Sequence, residues 1–267
     1  MKIVVCDSAQ IEARMVNWVA EQWDALEAFA DPERDPYSEF ATELYREPVD
    51  KSDKLRRHVG KQCELGLGFQ MGAPKLQYSL AVGAIGPPVF LEQDKCEAAV
   101  HLYRTKHYKV KALWHELQSL IDISLLRGHE MELRSGLLHF SKGRIHMPNG
   151  LDLMYPNLRS EVNEETGWVE FKYKKRGNDS SKIYGGLLTE NVIQCLARIV
   201  VGMQARIISH YYRIVSLSHD EIIFLAPDRK AAAAKRDVLE IMTTPPTWAH
   251  DLPLEAEASY AKRYAKP

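Results

Sequence analysis

Cysteine is scarce in this 267-residue chain, and the four present are scattered. Cys6, Cys63, Cys96 and Cys195 form no C-x-x-C pair, and none stands near a histidine at zinc-ligand spacing. A disulfide framework and a structural zinc site are therefore set aside, and reduced thiols in a cytoplasmic protein are expected. An excess of charge is also lacking: 35 Lys and Arg against 36 Asp and Glu leave a net charge of −1. Bulk charge does not announce a nucleic-acid partner, although a basic cleft can sit on a near-neutral body. No apolar run reads as membrane-spanning, and the opening MKIVVCD reads as a strand rather than a leader, so no membrane partner is expected. There is no internal repeat, and the only low-complexity tract is Ala231 to Ala234. The remaining composition, 45% apolar and 27% charged, is that of a soluble globular protein long enough to bury a sizeable core.

Periodicity supplies a coarse layout. Lys2 to Cys6 is a short β-branched run that predicts a buried strand ending at Asp7. Apolar spacing predicts helices over about Ile11 to Phe29, Tyr37 to Leu44, Glu92 to Leu126, Leu187 to Ile208 and Arg229 to Met242. Asp50 to Asp53 offers N-caps for a further helix carrying Lys54, Arg56, Arg57, His58 and Lys61. Arg144 to Tyr155 contains Pro148-Asn149-Gly150, a hairpin turn between alternating segments, and Gly167 to Lys175 alternates again. Tyr211 to Ala226 predicts two strands around a tight turn at Ser218-His219-Asp220-Glu221.

Two features carry chemistry. Asp7 ends one strand, and Asp220 and Glu221 sit in a late hairpin turn. If those strands are neighbours, rigidly held carboxylates converge, and such a pair suits hard divalent cations such as Mg²⁺. Two such ions can clamp the attacking and leaving oxygens of an in-line displacement at phosphorus. Taken singly, Asp7 also reads as a helix N-cap, and His219-Asp220 as a plain turn or the HD pair of a metal phosphohydrolase. The second feature is a helix face: Arg57 and Lys61 are four apart, followed by Leu65 and Phe69. Cations then apolar and aromatic surface suit a triphosphate followed by a sugar and base; a solvated basic face is the alternative.

Three segments together resemble the family A, polymerase I-like, DNA polymerases. Asp7-Ser8-Ala9-Gln10-Ile11-Glu12-Ala13-Arg14 resembles motif A. Arg57 and Lys61 through Leu65 to Phe69 resemble motif B, and Ser218-His219-Asp220-Glu221 resembles motif C. Glu64 to Phe69, Tyr184-Gly185-Gly186 to Gln194, and Lys262-Arg263-Tyr264 are similar to a phage-type subgroup, so the resemblance covers nearly the whole chain.

The resemblance implies an α+β fold: an antiparallel palm sheet flanked by helices, with a mostly helical fingers subdomain. Residues 1–35 and 136–267 would form the palm, and 36–135 the fingers. It implies two Mg²⁺ ions held by Asp7, Asp220 and the Ser8 carbonyl, with Glu221 as an auxiliary acid. Lys61 would protonate the leaving pyrophosphate. Ser8, Gln10, Glu12, Tyr37, Arg57, Lys61, Leu65 and Phe69 would line the dNTP site, Glu12 as the steric gate against a ribose 2′-OH. Arg14, Gln194 and His219 would lie near the primer–template. Arg104 to Lys111, and Lys172 to Arg176 with Lys182, are further candidates for the DNA path. Leu65 stands where an aromatic usually packs on the sugar, Phe69 lacks a Tyr hydroxyl, Ser8 replaces a Tyr, and Tyr37 stands where many members place a phosphate-touching His.

Met1 lies six residues before Asp7, whereas family members carry an exonuclease domain and a thumb before this point. Two expectations stand side by side: a split polymerase whose second polypeptide supplies both, or a truncated fragment; in either case the chain alone is expected to bind DNA weakly and in a salt-sensitive way. The alternatives are a catalytically silent scaffold subunit and a two-metal nuclease or HD-type phosphohydrolase.

Overall fold

The structure is a computed structural model that describes residues 1–84, 86–175, 177 and 179–264. Arg176, one of the DNA-path candidates, lies outside the described residues.

The chain opens with β1 (Lys2–Ser8), whose Val4, Val5 and Cys6 are buried. α1 (Ile11–Val19) and α2 (Trp23–Ala30) follow where a single helix is predicted. The break falls at Glu21, which adopts φ 58°. Beside it, the Gln22 side chain receives the Lys109 amide and donates to the Lys106 carbonyl. Those long-range bonds satisfy a polar side chain that a continuous helix would have left buried and unpaired. α3 (Pro36–Tyr45) and α4 (Lys54–Gly66) come next. Asp53 caps α4 by accepting from the Arg56 amide, as its position predicts. The helix ends at Gly66, and Leu67–Phe69 form a 3₁₀ turn, so Phe69 leaves the helical stripe.

α5 (Ala73–Ala81), α6 (Gln93–Lys106) and α7 (Tyr108–Leu120) complete the helical region, with a π-helical extension at Ile121–Leu126. The predicted helix from Glu92 to Leu126 is thus divided at His107. That buried imidazole contacts Asn17 at 3.1 Å and Glu64 at 3.3 Å.

Two small antiparallel sheets follow. One contains β2 (Met131–Leu133), β3 (Leu138–Ser141), β4 (Arg144–His146) and β5 (Asp152–Met154). The other contains β6 (Arg159–Val162), β7 (Val169–Lys174) and β8 (Ser180–Ile183). The Pro148-Asn149-Gly150 turn joins β4 to β5 as expected, with Gly150 at φ 80°.

α8 (Gly185–Ser209) then crosses the molecule. It is long and apolar enough to cross a membrane by length and composition, contrary to the expectation that no run is. Its Leu188, Val192, Leu196 and Val200 are enclosed in the main core, which accounts for the apolarity. Its start is pressed onto the helical region: a Cβ at Gly185 would lie 2.0 Å from the Trp114 carbonyl oxygen. The Gly185 and Gly186 amides are received by the side chains of Gln118 and Gln70.

β9 (Arg213–Ser218), β10 (Glu221–Ala226), α9 (Ala231–Thr243) and β11 (Ala256–Ala261) finish the chain. The principal sheet has the order β11-β1-β10-β9, with every neighbouring pair antiparallel. The expected α+β architecture with an antiparallel sheet is therefore present. β11 went unpredicted, because the proline-broken tail showed no strand signal.

Candidate active site

The sheet register brings the acids together. Asp7 pairs directly with Glu221, and the Ser8 amide donates to the Asp220 carbonyl at 3.2 Å. Asp7, near the end of β1, and Asp220, in the turn that leads into β10, are 213 positions apart in sequence and are thus brought to neighbouring strand ends. His219 forms the turn with φ 54°, a left-handed conformation that His tolerates better than most side chains. Arg198 of α8 donates to the His219 carbonyl at 3.1 Å and so pins that turn. Asp7 and Asp220 are half-buried. Glu221 is 3% exposed and receives the Tyr264 hydroxyl on both carboxylate oxygens. The tail residue Tyr264 therefore has a structural reason to be there.

Glu12 faces this corner from the first turn of α1, which begins after Gln10 in a left-handed conformation (φ 55°). Gln194 of α8 hydrogen-bonds to the Glu12 carboxylate. Burial raises the Glu12 pKa, and repulsion from Glu190 and Asp220 raises it further against the opposing pull of Gln194 and His219. Glu12, Glu190, Gln194, His219 and Asp220 consequently form one neighbourhood. Glu190 and Arg198 were missed as site residues. Their signal was the four-residue spacing of Glu190, Gln194 and Arg198, which puts all three on one face of α8.

Among the described residues, no group of three or more His, Cys, Asp or Glu side chains is placed to hold a metal ion. Mg²⁺ does not need such a cage, because it is commonly held by one or two carboxylates with waters and substrate phosphates completing its shell. Two carboxylates on a rigid sheet end, beside a Glu12 carboxyl whose ionised form is disfavoured by burial and by the charges of Glu190 and Asp220, fit that ion. The Ser8 side chain is 2% exposed and its hydroxyl is enclosed without a hydrogen-bond partner, so only its backbone faces the choice of ligand.

The cationic face lies on α4. The Arg57 guanidinium donates through Nε and Nη2 to Asp35 at 2.6 and 3.0 Å. Its centre lies 5.3 Å from the Tyr37 ring centroid, and the Lys61 ammonium lies 5.9 Å from the same ring. Tyr37 is 2% exposed, and its hydroxyl is enclosed without a partner. The ring supports both cations from beneath, while the hydroxyl points into the interior. At this position, where many family members place a phosphate-touching His, the hydroxyl is therefore held away from the surface. Ala13, Phe29 and Tyr37 form a small separate core on which Leu65 packs, so α1 links the acidic corner to the cationic face. Phe69 is half-buried against the main core.

Arg14, expected near the primer–template, is also enclosed. It is 1% exposed and donates to the Ala9 and Pro253 carbonyls, to Gln10 and to Glu255. A side chain so enclosed, with four of its five N–H donors used within the chain, ties α1 to the segment before β11. Of the other basic candidates, Arg104 and Lys111 line an open hollow of about 400 Å³ with His101 and Glu97. Lys172 and Lys182 are paired with Glu161 and Glu170.

No family model matches the chain. Over 273 residues it is 29% identical to a protein named DNA polymerase from Bacillus phage SP02, a match covering 98% of this chain and 41% of the relative. Its fold superposes with a TM-score of 0.65 and 17% identity on the POL domain of Pol1 from M. smegmatis, solved in complex with a DNA primer–template and dNTP. That match covers 98% of this chain and 40% of the solved one. The class of fold is therefore that of a DNA polymerase domain. Within that class, the likeness is to the family A, polymerase I-like group that the three motifs imply. The chain spans about two-fifths of the length of both relatives.

Proposed function

We propose that this chain is the palm-and-fingers part of a template-directed DNA polymerase, which joins a dNTP to a primer 3′-OH and releases pyrophosphate. The observation that carries the reading is the β1–β10 register, which sets Asp7 beside the 219–221 turn with Glu12 packed against it. Residues 1–35 and 136–267 are read as palm, and 36–135 as fingers.

Asp7, Asp220 and the Ser8 carbonyl are the groups that would hold two Mg²⁺ ions. When bound, the ions would neutralise charge on the reacting phosphates. The chain's own residues do the rest. Arg57 and Lys61 bind the triphosphate, and Lys61 delivers a proton to the departing pyrophosphate. Glu12, braced by Gln194, crowds the position of a 2′-OH. Gln10, Leu65 and Phe69 flank sugar and base, and Gln194 and His219 face the primer–template. Glu221, tied to Tyr264, steadies the strand end. Placement and charge neutralisation are what such a phosphoryl transfer demands of a protein.

A second polypeptide carrying exonuclease and thumb would supply the remaining grip on DNA. The surface supports a neighbour at one edge of the principal sheet: β9 ends that sheet, and Val215 and Leu217 on it are 49% and 39% exposed. A cytoplasmic location fits this reading. The test is primer extension by the chain, with and without such a partner, comparing wild type with Asp220→Ala. Incorporation that requires Asp220 is expected; incorporation untouched by the substitution removes its assigned role, and none in any wild-type combination favours the silent scaffold.

A further inference from the structure

Arg57 does not stand alone on its helix, and its partner has been assigned no role. Asp35 occupies the N-cap position of α3, where an aspartate ordinarily accepts from an amide of its own helix. Here it makes no side-chain cap bond. Its carboxylate turns instead to the Ser38 hydroxyl, which donates at 2.6 Å, and to the side-on edge of Arg57. Burial opposes ionisation of Asp35, but hydrogen bonds from Arg57 and Ser38 outweigh it and hold the carboxyl below its ordinary range.

A guanidinium has five N–H donors in a planar fork. Asp35 takes the Nε and Nη2 edge, and Tyr37 supports the plane. Nη1 has no hydrogen-bond partner among the described residues, and the Arg57 side chain remains 31% exposed. The two helices are also locked at backbone level, since a Cβ at Gly60 would lie 2.1 Å from the Tyr37 carbonyl oxygen. Asp35 and Arg57 therefore belong to one rigid pair of helices. That arrangement suits a permanent brace, not a latch that opens when the helix moves.

We propose that Asp35 is a positioning residue for the incoming nucleotide: with the Tyr37 ring it presets Arg57 so that its outer N–H edge meets a triphosphate oxygen. The inference rests on the polymerase reading of the Arg57–Lys61 face. Preorganised, charge-assisted contacts are the strong ones, and freeing the fork to rotate forfeits much of their value.

The test is equilibrium binding of dGTP with Mg²⁺ to the full chain by calorimetry, in wild type, Asp35→Asn, Arg57→Ala and the double variant. Asp35→Asn should weaken binding about 10-fold, and should add nothing once Arg57 is gone. Ser38→Ala, which leaves the carboxylate and removes only its brace, should weaken binding about 2- to 3-fold; this arm stands if Asp35→Asn fails to fold. Binding by Asp35→Asn equal to wild type overturns the proposal, and so does tighter binding, which shows that Asp35 competes with phosphate. An equal loss in the Arg57→Ala background makes the effect structural and also overturns it. Wild-type binding untouched by Arg57→Ala, or absent altogether, defeats the triphosphate reading itself, a result distinguishable from failure of the Asp35 role alone.

Discussion

The acidic corner and the cationic helix face are built on opposite electrostatic plans. On α3 and α4 the charges are matched: Arg57 is paired with Asp35, and both Arg57 and Lys61 lie over an aromatic ring. At the strand ends like charges are crowded, and Glu12 is pushed toward its neutral form by burial and by Glu190 and Asp220. One region holds its cations braced, with the Nη1 edge of Arg57 still open. The other holds repulsion that a bound cation would relieve. A site that handles a metal-bound triphosphate needs both: a fixed receptor for the phosphates and an acidic pocket with unmet demand for positive charge.

The largest expected effect breaks the acidic side. Asp7→Asn or Asp220→Asn should lower primer extension by about 10³-fold or more, the scale of losing a charge-stabilising group in a reacting site. For Asp220→Asn, removing a charge that crowds Glu12 should at the same time leave the melting temperature no lower than that of wild type. Calorimetric melts beside extension assays check both. A large loss of stability would mean that these acids hold the sheet together.

Next in size is the rigidity of the cationic side. Gly60→Ala should destabilise the protein by about 2 kcal/mol, because its Cβ would strike the Tyr37 backbone. Gly202→Ala, on an α8 position with nothing within 4 Å, should stabilise by about 0.5–1 kcal/mol. Urea unfolding distinguishes them. Equal effects would show that α3 and α4 are not locked where Gly60 crosses Tyr37.

The two sides also differed in how far sequence could foretell them. Strand β1, the 218–221 turn, helix α8 and the Arg57–Lys61 stripe follow from local periodicity and turn chemistry. Asp35 as the partner of Arg57 does not, because a contact between two helices 22 residues apart leaves no periodic trace. For the same reason the partners of Arg14 leave no trace in the sequence. Its acceptors Pro253 and Glu255 lie more than 230 positions away and are brought near by β11, a strand of small residues with little local signal. The breaks at Glu21 and His107 were hidden because apolar spacing continues across them, while the bonds that stop the helices are tertiary.

A smaller effect tests the crowding directly. Glu12 has a raised pKa, so its ionised form costs stability in the folded state. That cost is absent below the ordinary glutamate range, where the carboxyl is protonated folded or unfolded, and is complete above the raised value. Glu12→Gln should therefore melt a few degrees higher (about 2–4 °C) at neutral pH, and the gain should vanish in acid. Mg²⁺ should narrow the neutral-pH gap by screening Asp220. A gain independent of pH would place the origin of the effect outside charge.

The smallest effect separates ring from hydroxyl at Tyr37. Its ring carries two cations, but its hydroxyl is enclosed without a partner, and an unsatisfied buried hydroxyl costs about 1–3 kcal/mol. Tyr37→Phe keeps the platform and removes that cost. Nucleotide affinity should stay within about 2-fold of wild type, with equal or greater stability, whereas Tyr37→Leu should weaken binding by unseating Arg57 and Lys61. A marked loss of affinity in Tyr37→Phe alone would mean that the hydroxyl turns outward to touch phosphate when nucleotide binds, and that the cationic side is less rigid than its packing indicates.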